Sequence, residues 1–364
     1  MTREDSYDVA VIGAGPMGSF AAERMARAGL RVILFEKDAV PGASGVCAGA
    51  INAEVARFIG LPAEAVERTL HSLQVRTPKR TRAWTFPQPA YVTVDRRRLD
   101  RLLADRAVAA GAELRTGSRV IRVNPEHQSL ACDPDEEEVH ARVFVFADGP
   151  NSLARERRGG LRYAAVQYEL DAPANDLPAL EFFVDARRIP FGYAWAFPKR
   201  DAVTVGLGRL TAVRGLSLWN LLDQFVRETP ELRGRRILRR QGGTIPAGAA
   251  PVLQRDNWLA IGDAAGMVNP LTGGGYVCGF KSAVLAAETC IEAFRNGSFD
   301  ERALAAYPRR LRATKQYAVV RLGHLALRAM LATHRATGRS LYPLALDAYL
   351  RLVHAAMRLG ARAF

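Results

Sequence analysis

Residues 13–18 read GAGPMG, which places Gly13, Gly15 and Gly18 at the spacing G-x-G-x-x-G. Glycines so placed allow a tight turn, the approach of a pyrophosphate to bare backbone, and close contact between a helix and the strand before it. The start of that helix turns free N–H groups and the positive end of its dipole toward the phosphates. Pro16 and Met17 lie within the same turn and are counted with its phosphate-facing residues. The next apolar run, RVILFE, ends in Glu36, 18 positions beyond Gly18, with Lys37 following. A carboxylate there accepts hydrogen bonds from an adenosine ribose. Nucleotide binding is the chemistry these residues imply.

The elements that position them follow from period and punctuation. YDVAVI, before Gly13, is a buried-strand signature, and a helix between Gly13 and RVILFE completes a β–α–β unit. Two further glycine-marked segments occur, VFVFADGPNSLAR at 143–155 and WLAIGDAAGMVNPLTGGGY at 258–276. The stretch DRRRLDRLLADRAVAA predicts a helix over 95–110, ended by Gly111, with strands over 114–123. The acidic run DPDEEE at 133–138 reads as a solvated hairpin tip. Residues 162–252 are strand-rich around one helix near 216–227, and the chain after Gly275 is largely helical. The expected fold is α/β. A discontinuous Rossmann-type domain (1–75, 92–157 and 253–295) takes an inserted antiparallel sheet (76–91 and 158–252), and a helical basic region (296–364) follows.

Within the inserted region, YAWAFPKRDAVTVGLG alternates with period two, so Tyr193, Trp195 and Phe197 share one face of a strand and Ala194 and Ala196 the other. Such a face either fills a core or lines a cavity.

Composition bounds the rest. The chain has 364 residues, ordinary apolar and charged fractions, and no internal repeat or long linker. Cys47, Cys132, Cys278 and Cys290 are far apart and form no disulfide framework, which suits a reducing cytosol. The first strand starts too early for a secretory leader, so a cytoplasmic location is expected. No metal is expected, because the six histidines show no ligand spacing with one another or with cysteine. The net charge of +14 is concentrated at the C-terminus, where residues 301–364 hold twelve Lys or Arg against two acidic residues. Val320, Leu322, Leu325, Leu327, Met330 and Leu331, then Leu346, Leu350, Val353 and Met357, recur there at helical spacing. A basic amphipathic surface suits an anionic membrane face better than nucleic acid, and a plain solvated face is the simpler alternative.

VFADGPNSLAR resembles the Asp-Gly motif of flavoprotein hydroxylases, with Asp148, Gly149, Ser152 and Arg155 in matching places, and WLAIGDAAGMVNPLTGGGY resembles their Gly-Asp motif. The resemblance implies FAD, with Asp263 on its ribityl and phosphate region, Arg96 reaching the cofactor, and Pro270, Gly273, Gly274 and Gly275 against the flavin ring. The pattern Y-x-W-x-F-P followed by G-x-G, carried by Tyr193, Trp195, Phe197, Pro198, Gly206 and Gly208, resembles the geranylgeranyl reductase family. That resemblance implies reduction of isoprenoid carbon–carbon double bonds, a hydrophobic or lipid substrate, and a cavity lined by the aromatic strand. It further implies NADPH or NADH as a transient donor, bound without a second dinucleotide motif, while some members of the family take electrons from other carriers. Cys47, in PGASGVCAGAI, stands near the place of a flavin-proximal cysteine in those reductases, a candidate proton donor, although Ala48 replaces the glycine that usually follows it. Two other readings share the motifs: a flavin monooxygenase of a hydrophobic or aromatic substrate, and a non-catalytic protein in which FAD stabilises a partner-binding surface.

Overall fold

The computed structural model describes residues 6–134, 138–155, 160–172 and 177–358. Its first sheet is built on Ser6–Ile12, which pairs in parallel with Val32–Phe35 on one side and Glu138–Phe146 on the other. Glu113–Arg115 and Trp258–Ala260 extend the parallel set outward, and Ser129–Asp133 and Arg119–Asn124 join as antiparallel strands. Helices cover the central strands, so Val9, Val11, Ile33, Val143 and Val145 are fully buried, as a parallel sheet requires. The helix Pro16–Arg27 leaves the first strand through the glycine turn, with Gly15 at its N-cap and Pro16 at its first position.

The helix expected over 95–110 is observed as Arg96–Ala109, with Asp95 as N-cap accepting the Arg97 N–H at 2.9 Å and Gly111 ending it at positive φ. Of the acidic run at 133–138, residues 135–137 lie outside the described residues.

A second, seven-stranded sheet runs in the order Ile237–Pro246, Arg162–Asp171, Ala202–Leu210, Gly192–Pro198, Leu180–Phe183, Ser72–Thr77 and Arg80–Thr85. Ser72–Thr77 pairs along its whole length in this sheet, so a boundary at residue 75 would cut a strand, and the sheet takes up the chain from residue 72. Cross-strand pairing sets the partition here, and strand ends cannot be read from composition. Three short strands, Ala50–Asn52, Val66–Leu70 and Tyr91–Val94, make a small third sheet.

The alternation of the aromatic strand decides the layering. Ala194 and Ala196 face the helix Leu218–Glu228 together with Val203, Val205 and Leu207. Trp195 and Phe197 face the other way, into a cluster that includes Phe182, Tyr163, Leu271 and the C-terminal helices Lys315–Thr337 and Tyr342–Arg358.

That contact changes the meaning of the C-terminal stripe. Val320, Leu327, Met330, Leu331, Leu346 and Leu350 are buried against the body of the protein. At about 1.5–3 kcal/mol for each buried aliphatic side chain, these residues hold the helices down and are not available to a bilayer. Leu322 and Leu325, which share the periodicity, are instead exposed. Helical spacing alone could not divide the two sets. No helix among the described residues is long and apolar enough to cross a membrane.

Candidate flavin site

The three glycines of the first turn differ in what surrounds them. A Cβ on Gly13 would lie 2.6 Å from the Ala147 carbonyl oxygen, and Gly13 adopts φ +104°. One on Gly18 would lie 2.0 Å from the Gly13 carbonyl oxygen. Chain contacts thus require glycine at both. A Cβ on Gly15 would meet nothing within 4 Å, and its φ of −71° is open to any residue. The protein leaves a space over Gly15, as a pyrophosphate lying against the backbone needs.

Glu36 is buried at the end of its strand and accepts the Ala14 N–H at 3.1 Å and the Asp38 N–H at 3.0 Å. Burial raises its pKa, and the two N–H groups oppose the rise. Lys37 turns away from the glycine turn, to Asp38 at 2.7 Å and to Ser44. Pro16 begins the helix, and Met17 lies against Gly262 of the segment 258–276 and Gly279 of the helix Tyr276–Arg295.

Asp148 and Asp263 are carboxyl groups with few partners. Asp148 Oδ2 accepts the Leu153 N–H at 2.8 Å, while Oδ1 is buried with no hydrogen bond. Burial raises the pKa of both carboxyls; for Asp263 the charges of Arg96 and Arg155 partly offset the rise. Arg155 donates to the Asp263 carbonyl at 3.1 Å. A Cβ on Gly275, the N-cap of the helix Tyr276–Arg295, would sit 3.4 Å from Asp263 Oδ1. Asp148 Oδ1, buried without a partner, and the half-buried Asp263 carboxyl beside a glycine-rich helix start fit the hydroxyl-rich ribityl and phosphate portion of FAD.

Arg96 is clamped by Asp100 through two hydrogen bonds, Nε to Oδ1 at 2.7 Å and Nη2 to Oδ2 at 2.8 Å. The acid four residues on was visible in the sequence, but its role as an anchor for Arg96 was not read there. The guanidinium also acts electrostatically on Tyr276 and Cys47. Cys47 is half-buried, with Sγ 3.7 Å from the Tyr276 hydroxyl and 3.4 Å from the Gly49 N–H. Burial first, then Cys47, holds the Tyr276 phenol well above its ordinary pKa. Tyr276 directly follows the triple glycine, yet no sequence period marked it as a partner of Cys47, 229 positions away.

The aromatic strand meets this site through Tyr193, whose hydroxyl donates to the Thr272 carbonyl in the PLTGGG turn. Gly206 and Gly208, on the neighbouring strand, lie beneath the Trp195 ring, and a Cβ on Gly206 would be 2.3 Å from its Cζ2. The indole Nε1 is buried with no hydrogen-bond partner. Gln167 links sheet and loop, donating to the Cys47 carbonyl at 3.1 Å and to Gln241 at 2.8 Å. Phe197 packs edge-on to Phe182, and Pro198 accepts from Thr93 at 2.7 Å. Lys199 follows. It is 8% exposed, its Cε lies 3.6 Å from where a Cβ of Gly49 would be, and no ion pair to it occurs among the described residues. Its charge acts on Asp95, whose carboxylate is held by Arg97 at 2.7 Å. Nothing in the sequence set Lys199 apart from surface lysines.

Cys278 and Cys290 are buried on the helix Tyr276–Arg295, where burial pushes both thiols up to about 12, the values of inert core residues.

A parallel sheet, a phosphate-ready glycine turn and a half-buried carboxyl beside a glycine-capped helix define a Rossmann-type FAD-binding flavoprotein. The family model described as lycopene cyclase protein matches residues 8–357, and the chain belongs to this family of FAD-dependent oxidoreductases, alongside the geranylgeranyl reductases. Digeranylgeranylglycerophospholipid reductase 1 of Methanothermobacter thermautotrophicus is 31% identical over 327 residues, covering 83% of this chain and 81% of the relative. Among solved structures, a geranylgeranyl bacteriochlorophyll reductase-like protein from Thermoplasma acidophilum superposes with a TM-score of 0.77 at 23% identity, covering 85% of this chain and 83% of that one. PqsL, a probable FAD-dependent monooxygenase from Pseudomonas aeruginosa, has a TM-score of 0.67 at 22% identity, covering 90% and 96%. These structural likenesses speak for the fold, which reductases and monooxygenases share.

Proposed function

We propose that this protein saturates carbon–carbon double bonds in the isoprenoid chains of a lipid with an anionic headgroup. The observation that carries this reading is the junction of Tyr193 with Thr272, which ties the strand of Trp195 and Phe197 directly to the turn proposed to receive the flavin. Hydrocarbon offers no hydrogen bonds, so its site must be apolar and shaped, with few polar anchors. FAD, when bound and reduced, supplies the hydride. The chain's own work is to hold the cofactor through Gly13–Gly18, Glu36, Asp148, Arg96 and Asp263, to align the alkene along Trp195 and Phe197, and to exclude water. The Cys47 thiol, with Sγ 3.7 Å from the Tyr276 hydroxyl, is the group proposed to give a proton to the other alkene carbon. A Cys47→Ala variant that retains FAD should lose more than about tenfold in turnover; unchanged turnover would leave the thiol a filling role only.

Lys199 meets the anionic headgroup in this reading, since a buried ammonium without an ion pair favours an anion. Phospholipid relatives by name support the choice. NADPH or NADH is the proposed donor. The exposed Leu322, Leu325, Leu344 and Leu352, interspersed with the exposed Arg321, Arg328 and Arg351, suit contact with an anionic membrane face. Sedimentation with anionic but not zwitterionic vesicles is the expected result, and sedimentation with neither removes this contact.

The deciding experiment is anaerobic. The bound FAD is reduced, a geranylgeranylated phospholipid is added, and flavin reoxidation is followed with product mass. Reoxidation without oxygen, with two hydrogens gained per double bond, supports the reductase. A flavin that stays reduced until air is admitted, with substrate then gaining oxygen, supports a monooxygenase instead.

A further inference from the structure

Three consecutive carbonyls of the flavin turn are each capped by a tyrosine hydroxyl from a different element. Tyr163, on the strand Arg162–Asp171, donates to Pro270 at 2.8 Å. Tyr342, the first residue of the last helix, donates to Leu271 at 2.6 Å. Tyr193, on the aromatic strand, donates to Thr272. All three phenols are held above their ordinary pKa by burial, so they remain protonated donors.

The opposite side of the turn is held as well. Across a trans peptide the C=O of one residue and the N–H of the next point in opposite directions. The Leu271 N–H accordingly donates to Asn269 Oδ1 and the Gly273 N–H to the Asn269 carbonyl, each at 2.9 Å. Thr272 and Gly275 are left with N–H groups that find no protein acceptor among the described residues. The helix Lys315–Thr337 backs the same turn. Gly323 comes so close to Pro270 that a Cβ would be 3.0 Å from its Cδ, and His324 Nδ1 lies 2.6 Å from the Ala247 carbonyl.

We propose that Tyr163, Tyr193 and Tyr342 are positioning residues that fix the Pro270–Gly275 turn in the form that receives the flavin, which makes the C-terminal helices part of the flavin site. This rests on the FAD reading above. With one hydroxyl gone, a buried carbonyl is left unpaired, and the turn relieves that cost by rotating the peptide toward another donor. The same rotation moves the unclaimed N–H groups away from the ring. The competent form becomes a smaller fraction of the apoprotein, and apparent FAD affinity falls by that fraction.

The test uses the full-length protein with Tyr163→Phe, Tyr193→Phe and Tyr342→Phe. Tyr307→Phe is the control, because Tyr307 is also buried and donates to a carbonyl, that of Ala260 at 2.6 Å, but away from the turn. For each, FAD affinity after deflavination, the visible spectrum and midpoint potential of the bound flavin, and the melting temperature of the apoprotein are measured. Each turn variant should weaken FAD on the order of tenfold and shift the spectrum or potential. Tyr307→Phe should lower the melting temperature while leaving flavin properties at wild-type values. Turn variants that melt lower yet bind FAD with unchanged affinity, spectrum and potential overturn the proposal. If Tyr163→Phe does not fold, Tyr342→Phe at the helix start carries the decision. A wild-type protein that takes up no FAD overturns the flavin reading itself, which is a separate outcome.

Discussion

The indole of Trp195 occupies the space that a side chain on Gly206 would need. The two residues are paired across neighbouring strands, and a Cβ on Gly206 would fall 2.3 Å from Trp195 Cζ2 and 2.7 Å from Gln167 Cβ. The G-x-G that follows the aromatic pattern is therefore a seat for a ring laid flat on the sheet, not a turn.

Gly206→Ala should push the indole out of that seat. Overfilling a close-packed site costs about 1–3 kcal/mol, read as a lower denaturation midpoint. Activity on the isoprenoid substrate should fall further than stability, with FAD still bound. Trp195→Ala should likewise keep FAD and lose activity. Release of FAD by Trp195→Ala would count against the cavity assignment.

Gly15 and Gly18 should respond in opposite ways to the same change. At Gly15 alanine meets no protein atom, and a less favoured helix cap is offset by a stiffer unfolded chain to within about 1 kcal/mol. Gly15→Ala should fold normally and lose most of its FAD affinity. Gly18→Ala drives a methyl into the Gly13 carbonyl and should destabilise the apoprotein itself. Calorimetry of the flavin-free proteins, with FAD titration, separates the two.

Asp263 carries a cost in the flavin-free protein. Burial raises its carboxyl pKa despite Arg96 and Arg155, so the folded state favours the protonated form. Ionisation then reduces stability. The loss is absent below the unfolded value of about 3.9, grows as pH rises toward the raised folded value, and is complete above it. Asp263→Asn should therefore match or exceed the wild-type apoprotein in melting temperature near pH 7, an advantage that fades toward pH 4, and bind FAD more weakly at every pH. An apoprotein clearly less stable at pH 7 would show that the carboxylate is structurally supported.

Lys199→Met keeps the length of the side chain and removes its charge. KM for a geranylgeranylated phospholipid should rise by about tenfold, whereas an uncharged geranylgeranyl substrate should be nearly unaffected. Equal effects on both would place Lys199 outside headgroup recognition.

What the sequence by itself determined was local. The glycine turn, the strand before it, the helix capped by Asp95 and the aromatic alternation follow from dihedral freedom, capping and a period of two or 3.6, all acting over a few residues. Flavin chemistry was also legible, by the resemblance of the two later glycine-marked segments to the motifs of flavoprotein hydroxylases. Which face of the aromatic strand packs beneath the C-terminal helices was not, since period two names two faces without saying what covers either. Tertiary structure alone decided that Tyr342 reaches across 71 positions to Leu271, that Cys47 meets Tyr276, and that six residues of a C-terminal stripe are buried while Leu322 and Leu325 stay on the surface. Each of these depends on pairing between segments distant in sequence. Such pairing is selected by the joint burial of apolar faces and the satisfaction of buried carbonyls, and no local spacing records it.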